Sequence, residues 1–316
     1  LVQEEVEFAD LALAVVDEQH RFGVHQRMAL SSKSQAVDLL VMTATPIPRT
    51  LMLAAYGDLD VSKLTEKPAG RQPIDTRTIP LERVGDVADA VGRMMATGAR
   101  IYWVCPLIEE SEDVDLANAE ERHRQLSARF PGKVGLVHGR LKTAEREATM
   151  AAFADGRLSI LVATTVIEVG VDVPDATVMI VEHAERFGLA QLHQLRGRVG
   201  RGSAKSTCLL LYAQPLGETA KARLAILRET EDGFRIAEED LKLRGAGELL
   251  GTRQSGLPDM RLADLAAHGA LLQAARDDAR LIVDRDPELQ SARGAALRAL
   301  LYLFRRDDAV RTLRAG

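Results

Sequence analysis

Short runs of consecutive apolar residues recur along the chain. Leu13–Val16, Leu39–Met42, Ile101–Val104, Val134–Val137, Ile160–Ala163, Val178–Val181 and Cys208–Tyr212 are of this kind. Unbroken apolar runs of this length, rich in β-branched residues, predict strands covered on both faces, as in a parallel sheet. The stretches between them have a helical period. Residues 116–130 place Leu116, Ala119, His123, Leu126 and Phe130 on one stripe and stop before Pro131. Residues 143–155 offer Thr143 as an N-cap, acids in the first turn and Gly156 as a stop. Such alternation predicts an α/β fold with a doubly wound sheet.

Two breaks divide the pattern. Glu66–Pro73 holds two prolines and a glycine among mixed charges, as a linker does. Beyond Pro215-Leu216-Gly217 the chain turns helical and charged, and 261–313 carries Leu, Ala and Arg at helical spacing. The expected pieces are 1–68, the end of one α/β domain; 69–215, a complete second one; and 216–316, a helical appendage.

Composition narrows the class. With 46% hydrophobic and 28% charged residues among 316, the chain is globular rather than disordered. No window approaches about 18 uncharged apolar residues, so no membrane span is expected. No leader is recognisable and the two cysteines, Cys105 and Cys208, lie in apolar runs, so buried free thiols in a reducing cytosol are expected. A net charge of −5 excludes a globally basic nucleic-acid binder but leaves room for a local basic groove.

Three segments carry chemistry. Val15-Val16-Asp17-Glu18-Gln19-His20 ends a strand in two carboxylates, at the edge of a parallel sheet where ligands bind. Asp17 can hold Mg²⁺ through oxygen, and Glu18 can deprotonate a water attacking a phosphate. Met42-Thr43-Ala44-Thr45-Pro46 ends another strand in hydroxyls that can relay nucleotide state. The third runs from Ala163 through Thr164 and an acidic loop to Gly202. Arg186 to Gly217 holds five basic residues and no acid. Arg198 and Arg201, one helical turn apart, can address one polyanion, and guanidinium groups aimed at a transferring phosphoryl act as arginine fingers. The interleaved glycines suit close approach of backbone to a ligand.

In order and spacing, Asp17-Glu18-Gln19-His20, Thr43-Ala44-Thr45 and Gln194-x-x-Gly197-Arg198-x-x-Arg201 resemble motifs II, III and VI of superfamily 2 helicases. The runs 17–24, 43–50, 103–112, 138–140 and 189–202 further resemble the RecG family of branch-migration helicases. The resemblance covers residues 1–256 and weakens beyond. It implies a RecA-like parallel-sheet motor domain of the P-loop NTPase type, preceded by the tail of a first motor domain and followed by a helical translocation element. It implies ATP and Mg²⁺ as cofactors, and branched DNA (forks and Holliday junctions) as partner. Asp17 would coordinate Mg²⁺ and Glu18 would be the base. His20, Thr43 and Thr45 would couple ATP to DNA. Gly170, Asp172, Gln194, Arg198 and Arg201 would lie at the nucleotide, with Arg201 as the finger. His138, Gly139, Arg140 and Thr164 would touch the DNA backbone. Arg223 and Gln254, within 218–256, would couple turnover to movement.

Two departures accompany the resemblance. Ala246 stands where the family favours proline. The phosphate-binding loop Gly-x-x-x-x-Gly-Lys-Ser/Thr is not found, since the only Gly-Lys pair, Gly132-Lys133, is followed by Val134. The family's N-terminal wedge domain is not found either. The expectation is the C-terminal half of a RecG-type helicase that needs its N-terminal half as partner. The alternatives are a piece of a transcription-repair coupling factor, or a non-catalytic remnant that binds DNA or a partner.

Overall fold

A computed structural model describes the chain except residues 1–5, 7, 18–32, 34–36, 45, 47–60, 69, 107–111, 165–172, 252–267 and 305–316. The chain forms two compact units, residues 1–46 with 62–243, and residues 47–61 with 244–316.

In the first unit, β1 (Leu13–Val16) and β2 (Asp38–Val41) pair in parallel, with Val16 opposite Val41. Burial on both faces was expected here, and the structure corrects this. Ala14 and Val16 are buried, while Leu13, Val15 and Leu40 are about half exposed on the opposite face. Strand side chains alternate in direction, and within the described residues only one face of this pair is covered.

The larger sheet has six parallel strands in the order β3-β8-β7-β4-β6-β5. These are β3 (Ile74–Pro80), β4 (Arg100–Val104), β5 (Val134–Val137), β6 (Ile160–Ala163), β7 (Ala176–Val181) and β8 (Ser206–Tyr212). The apolar runs are unbroken because both faces are packed. Tyr102, Val104, Leu161, Met179 and Leu210 point to one face, toward Phe153 of α3 (Thr143–Ala154), Leu192 and Leu195 of α4 (Leu189–Arg196), and Leu224 and Leu227 of α5 (Glu218–Glu229). Ile101, Trp103, Val162, Ile180 and Leu209 point to the other. There they meet Val87 and Val91 of α1 (Val84–Ala96) and Ala119 and Leu126 of α2 (Glu112–Arg129). Both cysteines are buried free thiols, and loss of hydration pushes the Cys208 thiol up to about 12.

Two local expectations change. Thr143 is the first residue of α3 rather than its cap; Lys142 holds the extended cap position without a side-chain bond. Gly156, with φ +78°, does end that helix. Strand β3 was not foreseen. It lies at the sheet edge and its middle, Asp75-Thr76-Arg77-Thr78, is wholly polar, so it lacks the apolar run that marks the inner strands.

Helix α6 (Gly233–Gly251) follows α5, and its backbone passes through Ala246, a path proline would break. In the second unit, α7 (Gly269–Arg285) and α8 (Ala292–Leu303) form within the stretch expected to be helical. The Ser291 hydroxyl caps α8 by accepting from the Gly294 amide at 3.0 Å.

Candidate functional site

The carboxyl edge of the large sheet gathers polar side chains at its strand ends, two of them on the adjacent β5 and β6. His138 follows β5, Thr164 follows β6, and Glu182 follows β7. Thr164 continues the ladder through its amide, donated to the Val137 carbonyl at 3.3 Å. Its side chain is 2% exposed. The Thr164 hydroxyl and His138 Nδ1 are both buried and lack a hydrogen-bond partner among the described residues. A buried polar atom left unpaired costs about 1–3 kcal/mol, so two on neighbouring strands at a ligand-binding edge mark a place awaiting a polar group. Gly139 and Arg140 form the exposed turn just beyond, closed by the Leu141 amide on the His138 carbonyl at 3.2 Å. The expected patch of His138, Gly139, Arg140 and Thr164 is thus contiguous.

Helix α4 carries the arginine segment. Leu189, Leu192 and Leu195 bury its inner stripe, and the Gln191 side chain accepts from the Gly188 amide at its start. The helix ends at Arg196, which corrects the helical spacing assumed for Arg198 and Arg201. Gly200 has φ +71°, and a Cβ there would sit 3.0 Å from Ile74 Cγ1, so the chain must turn on a residue without a side chain. Arg201 is exposed, with Nε donating to the Gly197 carbonyl at 3.3 Å, while Arg198 and Gln194 are half-buried nearby.

One arginine of the segment points inward. Arg196 is 2% exposed and donates from Nη1 to the carbonyls of Leu227 (2.6 Å) and Thr230 (3.1 Å). Those carbonyls close the last turn of α5, where a cation is favoured by the helix dipole. Burial still pulls its pKa down. Arg223, on α5, donates to the Phe187 carbonyl at 3.3 Å, so it anchors the helix to its neighbour.

Asp17 is exposed immediately after β1, and Thr43 is half-buried after β2, on the adjoining strand. Glu18, His20, Thr45, Gly170, Asp172 and Gln254 lie outside the described residues. A single exposed carboxylate at a parallel strand's end is a donor that suits Mg²⁺ held largely through water.

Sequence reasoning missed Arg196, Glu231 and the Glu182 network. Glu182 accepts from Trp103 Nε1 and from Arg122 Nε, each at 2.5 Å, and Arg122 lies 5.6 Å over the Trp103 ring. A charged residue directly after an apolar run was the available signal for Glu182. For Arg196 it was an arginine at the i+4 position of the Leu189-Leu192-Leu195 stripe.

This architecture has known counterparts. Residues 86–203 match the helicase conserved C-terminal domain, and the six-stranded sheet is accordingly a RecA-like helicase motor domain. Residues 230–309 match domain 3, C-terminal, of the ATP-dependent DNA helicase RecG. The chain is 54% identical over 293 residues to the ATP-dependent DNA helicase RecG of Acidithiobacillus ferridurans, covering 92% of this chain and 43% of that protein. It is 47% identical over 300 residues to RecG of Bacillus subtilis, covering 94% of this chain and 44% of that one. A solved structure of RecG bound to a three-way DNA junction superposes with a TM-score of 0.66 at 47% identity, over 86% of this chain and 35% of that chain. The chain belongs to the RecG family, and it spans less than half the length of the curated relatives it matches. These relatives favour the RecG resemblance over the coupling-factor alternative.

Proposed function

We propose that this chain is the C-terminal part of an ATP-dependent double-stranded DNA translocase of the RecG type, acting in fork regression and Holliday-junction branch migration during repair and recombination in the bacterial cytosol. Residues 1–68 would complete a first motor domain with an N-terminal half, 69–215 would be the second, and 216–316 the translocation element and helical end. The observation that carries the reading is the pair of buried atoms, Thr164 Oγ1 and His138 Nδ1, without a partner among the described residues and on adjacent strand ends. A hydroxyl and an imidazole N–H can both donate to a phosphate oxygen, and Arg140 adds charge on the next turn. Such contacts ignore base sequence, as movement along DNA requires. The junction-bound RecG structure, at 47% identity, supports branched DNA as the partner.

On the nucleotide side, Asp17 would hold Mg²⁺, which when bound neutralises phosphate charge. Glu18 would accept the proton of the attacking water. Arg201, with Arg198 and Gln194, would donate to the transferring phosphoryl, beside Gly170 and Asp172. Thr43, Thr45 and His20 would pass nucleotide state toward the DNA.

Two measurements test this. Anisotropy of the purified chain with a labelled fork should show salt-dependent binding. Thr164→Val should weaken it uniformly across sequences, and Arg140→Ala should lower the salt slope by about one. In steady-state assay the chain alone should hydrolyse ATP negligibly even with forked DNA, because phosphoryl transfer depends on positioning and charge neutralisation that the phosphate loop supplies. Binding indifferent to salt, or DNA-stimulated turnover by the chain alone, would contradict the reading.

A further inference from the structure

Several pieces of the chain converge on residues 230–234, the corner between α5 and α6. The Thr230 carbonyl accepts from Arg196. Glu231 accepts from the Ile74 amide with one carboxylate oxygen and pairs with Lys67 through the other. Asp232 Oδ1 caps α6, accepting from the Phe234 amide at 2.9 Å. At Gly233 an added Cβ would lie 2.5 Å from Pro46 Cγ and 2.8 Å from His193 Nε2. Lys63 Nζ stands 4.9 Å over the Phe234 ring.

Lys67 belongs to the expected linker, Glu66–Pro73, and Lys63 lies just before it, both on the segment that joins β2 to β3. We infer that Glu231 is a positioning residue that fastens this linker to the α5–α6 corner, so that linker displacement during the nucleotide cycle reaches the translocation element directly, in parallel with the tie through Arg196. The inference rests on the translocase reading above.

The geometry supports a fastening rather than a fold contact. Lys67 and Glu231 side chains are 50% and 23% exposed, and an ion pair so placed contributes little to stability. Its value lies in what it joins. One carboxylate bridges the linker's end and the first amide of β3, which closes residues 67–74 onto the corner. Pro68 and Pro73 fix φ at two positions of that span. Arg71, between them, donates from Nε to the Gly200 carbonyl at 2.9 Å. The same short span is therefore held to both the corner and the loop that presents Arg198 and Arg201.

The test uses the full-length protein with Lys67→Ala, Glu231→Gln and the double variant. The glutamine side chain would still accept from the Ile74 amide while losing the ion pair. DNA-stimulated ATPase, junctions remodelled per ATP and the melting temperature are measured together. ATPase and melting temperature should hold, while remodelling per ATP falls about five-fold or more, the lower end of coupling between sites. The double variant should add nothing, because both changes break one interaction. Unchanged remodelling per ATP, additive effects, or losses that track melting temperature would overturn the inference alone. An unmodified protein without DNA-stimulated ATPase would overturn the translocase reading, and this inference with it.

Discussion

Replacing Arg196 with alanine should destabilise the first compact unit more than any single surface change. Its guanidinium donates to the Leu227 carbonyl at 2.6 Å and the Thr230 carbonyl at 3.1 Å. Hydrogen bonds to a charged group contribute about 1.5–3 kcal/mol each. Burial of the cation offsets part of that, as its lowered pKa records. Removing the guanidinium leaves two carbonyls without this donor, at about 1–3 kcal/mol each, and we take ~3 kcal/mol as the net. For a unit of this size that lowers Tm by about 6–12 °C. The protein has one tryptophan, Trp103, which is fully buried in the same unit, so its emission reports the melt. Arg196→Lys, reaching one carbonyl, should recover about half the loss. Arg196→Met fills the space without donating and should melt close to the alanine variant. A shift under about 2 °C for alanine, or a methionine variant more stable than the parent, would show that burying the cation costs as much as its bonds return.

The other expectations concern turnover, coupling and pH. In the full-length protein Arg201→Ala should abolish ATPase by roughly 10³–10⁵-fold with DNA binding retained, and lysine should rescue poorly; near-normal alanine turnover would move the finger role to Arg198. Gln254→Ala and Arg223→Ala should leave ATPase in place while branch migration is lost at nearly unchanged melting temperature; parallel loss of all three would mean that both residues only support the fold. Burial, with the Arg196 charge second, holds His193 at about 4, below its ordinary 6.5. The unfolded chain therefore takes up a proton that the native chain refuses, so this contribution is full above pH 6.5 and lost as pH falls toward 4, by roughly 3 kcal/mol. Urea melts between pH 7 and 4 should show that slope, and His193→Gln should flatten it; an identical slope in the variant would assign it to other groups.

The inner strands were legible because burial on both faces leaves them no polar positions, as in Ile101–Val104 and Ile160–Ala163. The residues at the β5 and β6 ends were singled out through resemblance, but their unsatisfied polar atoms were not. That His138 and Thr164 each bury an atom unpaired among the described residues is a matter of strand adjacency, set by β5 and β6 lying side by side. Arg196 was hidden for a different reason. In the sequence it is one of five basic residues in a segment read as addressing a polyanion, and only the carbonyls of α5, some thirty residues on, turn it inward. Glu231 and Lys67 looked like ordinary linker and hairpin charges, and their meeting depends on tertiary placement alone.

Strand β3 has a consequence for the order in which the chain assembles. It is the first strand of the large sheet to be synthesised, yet its neighbour among the described residues is the last, with Ile74 opposite Ser206 and Pro80 opposite Tyr212. At about 5–20 residues per second it waits on the order of ten seconds for β8 to leave the ribosome. An apolar strand left open that long would template association with other nascent chains. The charges at Asp75 and Arg77, paired to each other at 2.6 Å, and the closing Pro80 are a guard against that. The same polar run, Asp75–Thr78, that concealed β3 from its pattern keeps it unpaired until the sheet it completes has formed.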